Sequence, residues 1–158
     1  MNALEAARRA DDAEAAAYAD LWQAAPPALR ERLGLALQRV ADATLLVAPG
    51  LPTPMFNRAI GLGLRTPADT AALGDIEARF RGAGVRSWWL HWNPQASPAD
   101  FEADLAARGY TAPPRQRWAK MLRPAADAPA ATTSLDLRPA DDAGAAATTQ
   151  AIATAFEM

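Results

Sequence analysis

Cysteine is absent from the 158 residues. Disulfides, thiolate metal sites and a cysteine nucleophile are thereby excluded. Histidine and lysine each occur once, at His91 and Lys120. A lone imidazole excludes a multi-histidine metal site or two-histidine chemistry within the chain. A basic excess is also missing: 16 Lys+Arg stand against 18 Asp+Glu, for a net charge of −2. That balance excludes a dedicated nucleic-acid binder, which depends on surplus positive charge. No apolar run approaches the roughly 18 residues of a membrane span. The opening MNALEAARRADDAEAAAYAD lacks the apolar segment of a secretory signal. The expectation is a cytoplasmic protein with neither nucleic acid nor membrane as partner.

Large apolar side chains are limited too. Hydrophobic residues make up 51% of the chain, but alanine supplies much of that share. The core must rest on a modest set of Leu, Val, Ile, Phe, Met and Trp. The length suits one domain, or one domain and part of a second.

Residues 3–25 are helix formers, and Tyr18, Leu21, Trp22, Ala25, Leu29 and Leu33 recur at helical spacing, which predicts one buried face. The charged stretch Glu5 to Asp12 reads as a solvated or frayed end. Pro26-Pro27 breaks the run and Pro27 opens a short second helix ending at Gly34. Leu35–Val40 and Thr44–Ala48 read as a hairpin across Ala41-Asp42-Ala43, although the usual Asn-Gly or Asp-Gly signal is missing. Pro49 to Pro54 is a loop, because its prolines cannot donate to a ladder. Met55–Leu64 reads as a third strand, weakened at Gly61 and Gly63. Thr66-Pro67-Ala68-Asp69 and Ser97-Pro98-Ala99-Asp100 both read as helix starts, with Thr66 and Ser97 as caps. The first of these helices carries Leu73, Ile76 and Phe80 inward and stops at Gly82-Ala83-Gly84. The second carries Phe101 and Leu105 and stops at Gly109. Val85–Trp92 is bulky on both faces, which predicts a central strand covered by helices. Gln116–Leu122 alternates as a last strand. A featureless linker follows over 124–133. Leu135–Arg138 then resumes a strand, and Pro139-Ala140-Asp141-Asp142 opens an Ala-rich helix with Ile152 and Phe156 on its apolar face. The order predicts a mixed α/β layer fold, a central mixed sheet flanked by helices.

This order and several phrases resemble the GNAT superfamily of N-acetyltransferases. Trp92–Tyr110 (WNPQASPADFEADLAARGY) is similar to the family's late strand–helix segment, with Asn93 ending the strand and Gly109-Tyr110 closing the helix. PMFNRAIGLGL and RWAKMLRP look like phrases of the N-terminal half of tandem members. The resemblance covers residues 11–123 as a GNAT-like domain without its first strand. Residues 134–158 resemble the first strand and helix of a second such domain, truncated here. It implies a protein that moves an acetyl group from acetyl-CoA to a small-molecule or peptide amine. The family's cofactor loop, [Q/R]-x-x-G-x-[G/A], cradles the pyrophosphate at a helix N-terminus. Arg58-Ala59-Ile60-Gly61-Leu62-Gly63 matches its letters between a strand and a helix, so the cofactor-binding candidates are Arg58, Gly61 and Gly63. Their structural alternative is a bulged strand whose glycines permit close packing. Arg79-Phe80-Arg81-Gly82-Ala83-Gly84 also matches, but at a helix end, where carbonyls repel phosphate. Leu105 stands where many members carry the tyrosine that protonates the departing thiolate, so this portion has no catalytic residue of its own. The resemblance therefore implies an N-terminal portion inactive alone, with acetyl-CoA held by the second domain and that domain as its partner. A non-enzymatic interaction module is the alternative, with a second copy of the chain as a further candidate partner.

His91 has the acid–base range for catalysis, yet among Trp88, Trp89 and Trp92, with no acid partner placed by sequence, it reads better as a packed or edge-of-sheet residue. The same tryptophans read as core rather than as a ligand platform. Arg115, Arg117 and Arg123 opposite Trp118 and Lys120 could hold a phosphate or carboxylate, but read better as a solvated edge strand. Asp11, Asp12 and Glu14, like Asp141 and Asp142, read as solvent-facing helix charge, with no metal assigned.

Overall fold

The computed structural model describes residues 1–112, 119–122, 132–134 and 141–155. The chain divides into two units, Met1–Leu122 and Arg123–Met158.

In the first unit, helix α1 (Ala3–Ala24) starts at Asn2, whose side chain accepts the Glu5 amide, and satisfies one of the free N–H groups of the first turn. Helix α2 (Pro27–Leu33) has proline in its first turn and ends at Gly34, which takes φ 63°. Strands β1 (Ala36–Val40) and β2 (Ala43–Val47) pair antiparallel with Val40 opposite Ala43, so the hairpin loop is only Ala41-Asp42. Ala41 adopts φ 49°, a left-handed conformation that costs a non-glycine residue about 1–2 kcal/mol. A short 3-10 turn (Pro54–Phe56) leads into β3 (Arg58–Ile60), antiparallel to β2. Helix α3 (Thr70–Gly82) then crosses to β4 (Trp89–His91), which lies parallel to β3. Helix α4 (Glu102–Ala107) follows. The sheet is four-stranded and mixed, in the order β1-β2-β3-β4. The class is thus mixed α/β, as expected. In the second unit, α5 (Asp142–Ala155) begins beside Asp141, whose carboxylate accepts the Gly144 amide. Ile152 of that helix is exposed.

Strand alternation sends side chains to two faces. Leu45, Val47, Ala59 and Leu90 meet Leu73, Ile76 and Phe80 of α3 and Leu105 of α4. Leu46 and Ile60 meet Trp22 and Tyr18 of α1 on the opposite face. Phe80 stacks on Trp88 at 5.2 Å, and Trp92 lies 5.3 Å from Phe101. The WWLHW run is therefore split, with Trp88, Leu90 and Trp92 facing the α3 core and Trp89 and His91 the α1 side.

Several expectations are corrected. Leu21 is 56% exposed, so the buried stripe of α1 runs instead through Ala7, Asp11 and Trp22. Glu5 to Asp12 is not a frayed end: Asp11 is buried, and Arg8 and Asp12 make contacts to Leu64 and Arg65. The third strand is three residues long rather than spanning 55–64, because Gly61 and Gly63 turn the chain with φ 94° and 80°. Helix α3 is capped by Asp69, not Thr66, with the carboxylate accepting the Ala72 amide at 2.7 Å. Helix α4 starts at Glu102 and has no side-chain cap, so Ser97 does not serve. Strand β4 pairs with β3 among the described residues, and most of the strand expected to follow it lies outside them. Residues 119–122 carry no strand, and the remainder of the expected 116–122 strand, the 135–138 strand and Arg115, Arg117, Trp118, Arg123 and Phe156 lie outside the described residues.

Candidate functional site

Two polar centres lie on the first unit. The first is the loop after β3. Gly61 and Gly63 hold positive φ, and Leu62 and Leu64 point into separate apolar clusters. A Cβ on Gly63 would sit 2.8 Å from the Ser97 carbonyl oxygen, so both the space and the dihedral demand glycine. The turn presents its amides in one direction, and the Asp42 carboxylate from the β1–β2 loop fills the concavity. Asp42 Oδ1 accepts from Gly63 N at 3.1 Å, and Oδ2 accepts from Arg65 N at 2.7 Å and Thr66 N at 3.2 Å. Backbone amides of one loop converging on an oxyanion form an anion-binding concavity, and here the anion belongs to the chain. The Arg65 guanidinium turns away to Asp12, which it bonds at 2.6 and 2.7 Å.

Arg58 is separated from this nest in its bonding. The residue is 4% exposed, on the α1 face. The Nε donates to the Met55 carbonyl at 2.6 Å and Nη1 to Glu14 Oε1 at 3.0 Å. The guanidinium lies 4.6 Å from the centre of the Tyr18 ring and 5.3 Å from that of Trp89. Cation–π contact on two sides stabilises a buried arginine that also needs its carboxylate. Arg58 thus ties β3 to α1, while Gly61 and Gly63 shape the loop.

The second centre starts from that Glu14. Its Oε1 also lies 3.5 Å from His91 Nδ1, and its Oε2 lies 2.6 Å from Lys120 Nζ. Lys120 Nζ is equally 2.6 Å from Asp11 Oδ1, which Asn93 Nδ2 approaches at 3.5 Å. Burial pushes the Glu14 carboxyl up, but hydrogen bonds from His91 and Lys120, then their charges, outweigh it and leave the pKa lowered to about 2. Burial likewise opposes the Lys120 ammonium, and its bonds to Asp11 and Glu14 more than compensate, so its pKa is raised. A cleft of about 310 Å³ opens here, bounded by Ala10, Ala13, Glu14, His91, Lys120 and Met121.

At this centre Asp11 and Glu14 are not solvated helix charge, and Lys120, though exposed, pairs with both. His91 is partly buried, but it faces a carboxylate placed by α1, which sequence proximity did not reveal. Spacing did carry a signal: Ala7, Asp11, Glu14, Tyr18 and Trp22 recur at three- and four-residue intervals on one helix face. Among the described residues no group of three or more His, Cys, Asp or Glu could hold a metal ion, and no helix is long and apolar enough to cross a membrane. Tyr110 is committed elsewhere, its hydroxyl accepting from Trp88 Nε1 at 2.9 Å. Leu105 is buried in the core beneath α3.

Searches against family models, curated proteins and solved structures found no match to this chain.

Proposed function

We propose that this chain is the N-terminal, non-catalytic portion of a tandem GNAT-type N-acetyltransferase, building one wall of an amine-acceptor site. The reaction of the whole protein is acetyl transfer. An acceptor amine attacks the thioester carbonyl of acetyl-CoA, the C–S bond breaks, and the amine proton leaves with the thiol. The observation that carries the reading is the filled nest: the Gly63, Arg65 and Thr66 amides already donate to Asp42. A diphosphate approaching the same amides meets Asp42, with Asp12 held nearby through Arg65. Like charges at that range repel.

Other features support the reading. Two helices, an antiparallel strand set and a β3–α3–β4 crossover with parallel strands follow the order the resemblance implies. Leu105, at the position of the thiolate-protonating tyrosine, has no proton to give. Arg58, Gly61 and Gly63 serve the fold in this reading. Acetyl-CoA belongs to a second domain of which residues 134–158 form the opening, and the acceptor is a small-molecule or peptide amine.

Thiol release from acetyl-CoA in the presence of a panel of primary amines tests the proposal. The 158-residue chain is expected to release no thiol above the protein-free blank. A chain extended through a complete second domain is expected to release it. Turnover by the 158-residue chain, lost on Gly61→Trp, would overturn the proposal.

A further inference from the structure

Strand β1 closes one end of the sheet, and among the described residues nothing pairs with its outer side. Val40 and Ala43 flank a two-residue loop, so they form a hydrogen-bonded pair, and the alternation of an antiparallel ladder repeats this at Gln38 and Ala36. The N–H and C=O groups of Leu37 and Arg39 therefore point outward from the sheet. Edge strands are ordinarily guarded by a proline, a bulge or a projecting charge. Strand β1 has no proline, and its register with β2 runs without a bulge. Its one charge is turned back over β2, with Arg39 Nη1 donating to Thr44 Oγ1. Leu37 is 39% exposed, beside a shallow recess of about 250 Å³ bounded by Leu37, Gln38, Arg39 and Thr44. Gln38 points to the opposite face, and its Oε1 is shielded from water and accepts no hydrogen bond. An acceptor in that state is costly and marks a missing donor.

We propose that β1 is a docking edge for a second copy of this chain, the two β1 strands pairing antiparallel about a twofold axis at Gln38. In that register Leu37 faces the partner's Arg39 and exchanges N–H···O=C bonds with it, and Arg39 does the same with the partner's Leu37. All four outward groups of the strand are then used. Gln38 faces the partner's Gln38 at a non-hydrogen-bonded position, where side chains lie closest. A carboxamide carries two N–H donors beside its oxygen, so each glutamine supplies the donor that the other lacks. The exposed Leu37 lies against the stem methylenes of the partner's Arg39. Each guanidinium stays on its own Thr44, turned away from the axis. A twofold contact requires a surface that complements itself, and only the axis at Gln38 provides one. An axis at Arg39 sets like charges face to face, and an axis at Leu37 runs the pairing past the start of the strand at Ala36. This edge lies at the end of the sheet away from β4 and owes nothing to the acetyltransferase reading.

The chain contains no cysteine, so a single introduced cysteine reports the register. Gln38→Cys places two Cα atoms about 4.5 Å apart across the axis, within the span of a disulfide. Cysteines at 37 or 39 lie two residues out of step with their copies, about 7–8 Å apart, beyond that span. Under mild oxidation Q38C is expected to form a disulfide-linked dimer, while Leu37→Cys and Arg39→Cys stay uncrosslinked. Sedimentation equilibrium of the native chain is expected to give twice the chain mass. Leu37→Pro removes an outward N–H and leaves the ladder to β2 intact. It should sediment at the single-chain mass with its circular dichroism unchanged. A native chain that stays monomeric up to its solubility limit would overturn the proposal, as would a folded Leu37→Pro variant that stays dimeric. Cross-linking at 38 no faster than at 37 or 39 would overturn it too. Should Leu37→Pro not fold, the native mass and the three cysteine variants decide.

Discussion

Glu14 holds three basic side chains to one face of α1: Arg58, His91 and Lys120 all converge on its two oxygens. Its pKa is lowered to about 2. The folded state therefore binds fewer protons there than the unfolded chain, and stability rises with pH between the two pKa values. The contribution is complete above the ordinary value of 4.5 and is lost as pH falls toward 2. The stability difference between the native chain and Glu14→Gln, measured by urea unfolding, should shrink steadily as pH falls from about 5 toward 2. A difference that stays constant down to pH 2.5 (about two units below the ordinary glutamate pKa) would contradict this assignment. The partners of this residue were illegible from the sequence, since Lys120 lies 109 residues from Asp11 and Arg58 lies 44 residues from Glu14. Only the helical spacing of Asp11, Glu14, Tyr18 and Trp22 hinted at them, and carboxylates at such positions ordinarily face water.

Among the elements, the β1–β2 turn and the loop after β3 act as one piece. Ala41 takes a left-handed conformation it would not choose, and the three amide bonds to Asp42 offset that cost. Asp42→Ala should destabilise the chain by about 2–3 kcal/mol, the scale of hydrogen bonds to a charged group, with the urea midpoint shifted and the slope unchanged. Asp42→Asn keeps one acceptor oxygen and should recover part of the loss. An unchanged midpoint in D42A would mean the nest is not held by its anion. The helices and the hairpin were readable because periodicity, prolines and glycine stops are local signals. The extents of β3 and β4 were not readable. Gly61 turns the chain one residue after Ile60, and only the parallel partner two elements earlier limits β4 to Trp89–His91. Asp69 overrides Thr66 as the α3 cap because Thr66 is drawn off to Asp42 through its own amide.

In the whole molecule, the sheet divides the first unit into an apolar α3 side and an α1 side that mixes apolar packing with buried charge. The mixed α/β class was visible in the element order, as was the strand–helix–strand crossover. The chemistry of the glycine loop was not, because the residue that fills it comes from a turn some twenty residues earlier. A motif written in glycines records the shape of a nest and says nothing of its occupant. Calorimetric titration of the 158-residue chain with acetyl-CoA tests this most directly. With Asp42 seated on the Gly63, Arg65 and Thr66 amides, no saturable heat is expected; a one-to-one binding isotherm that disappears on Gly61→Trp would contradict it.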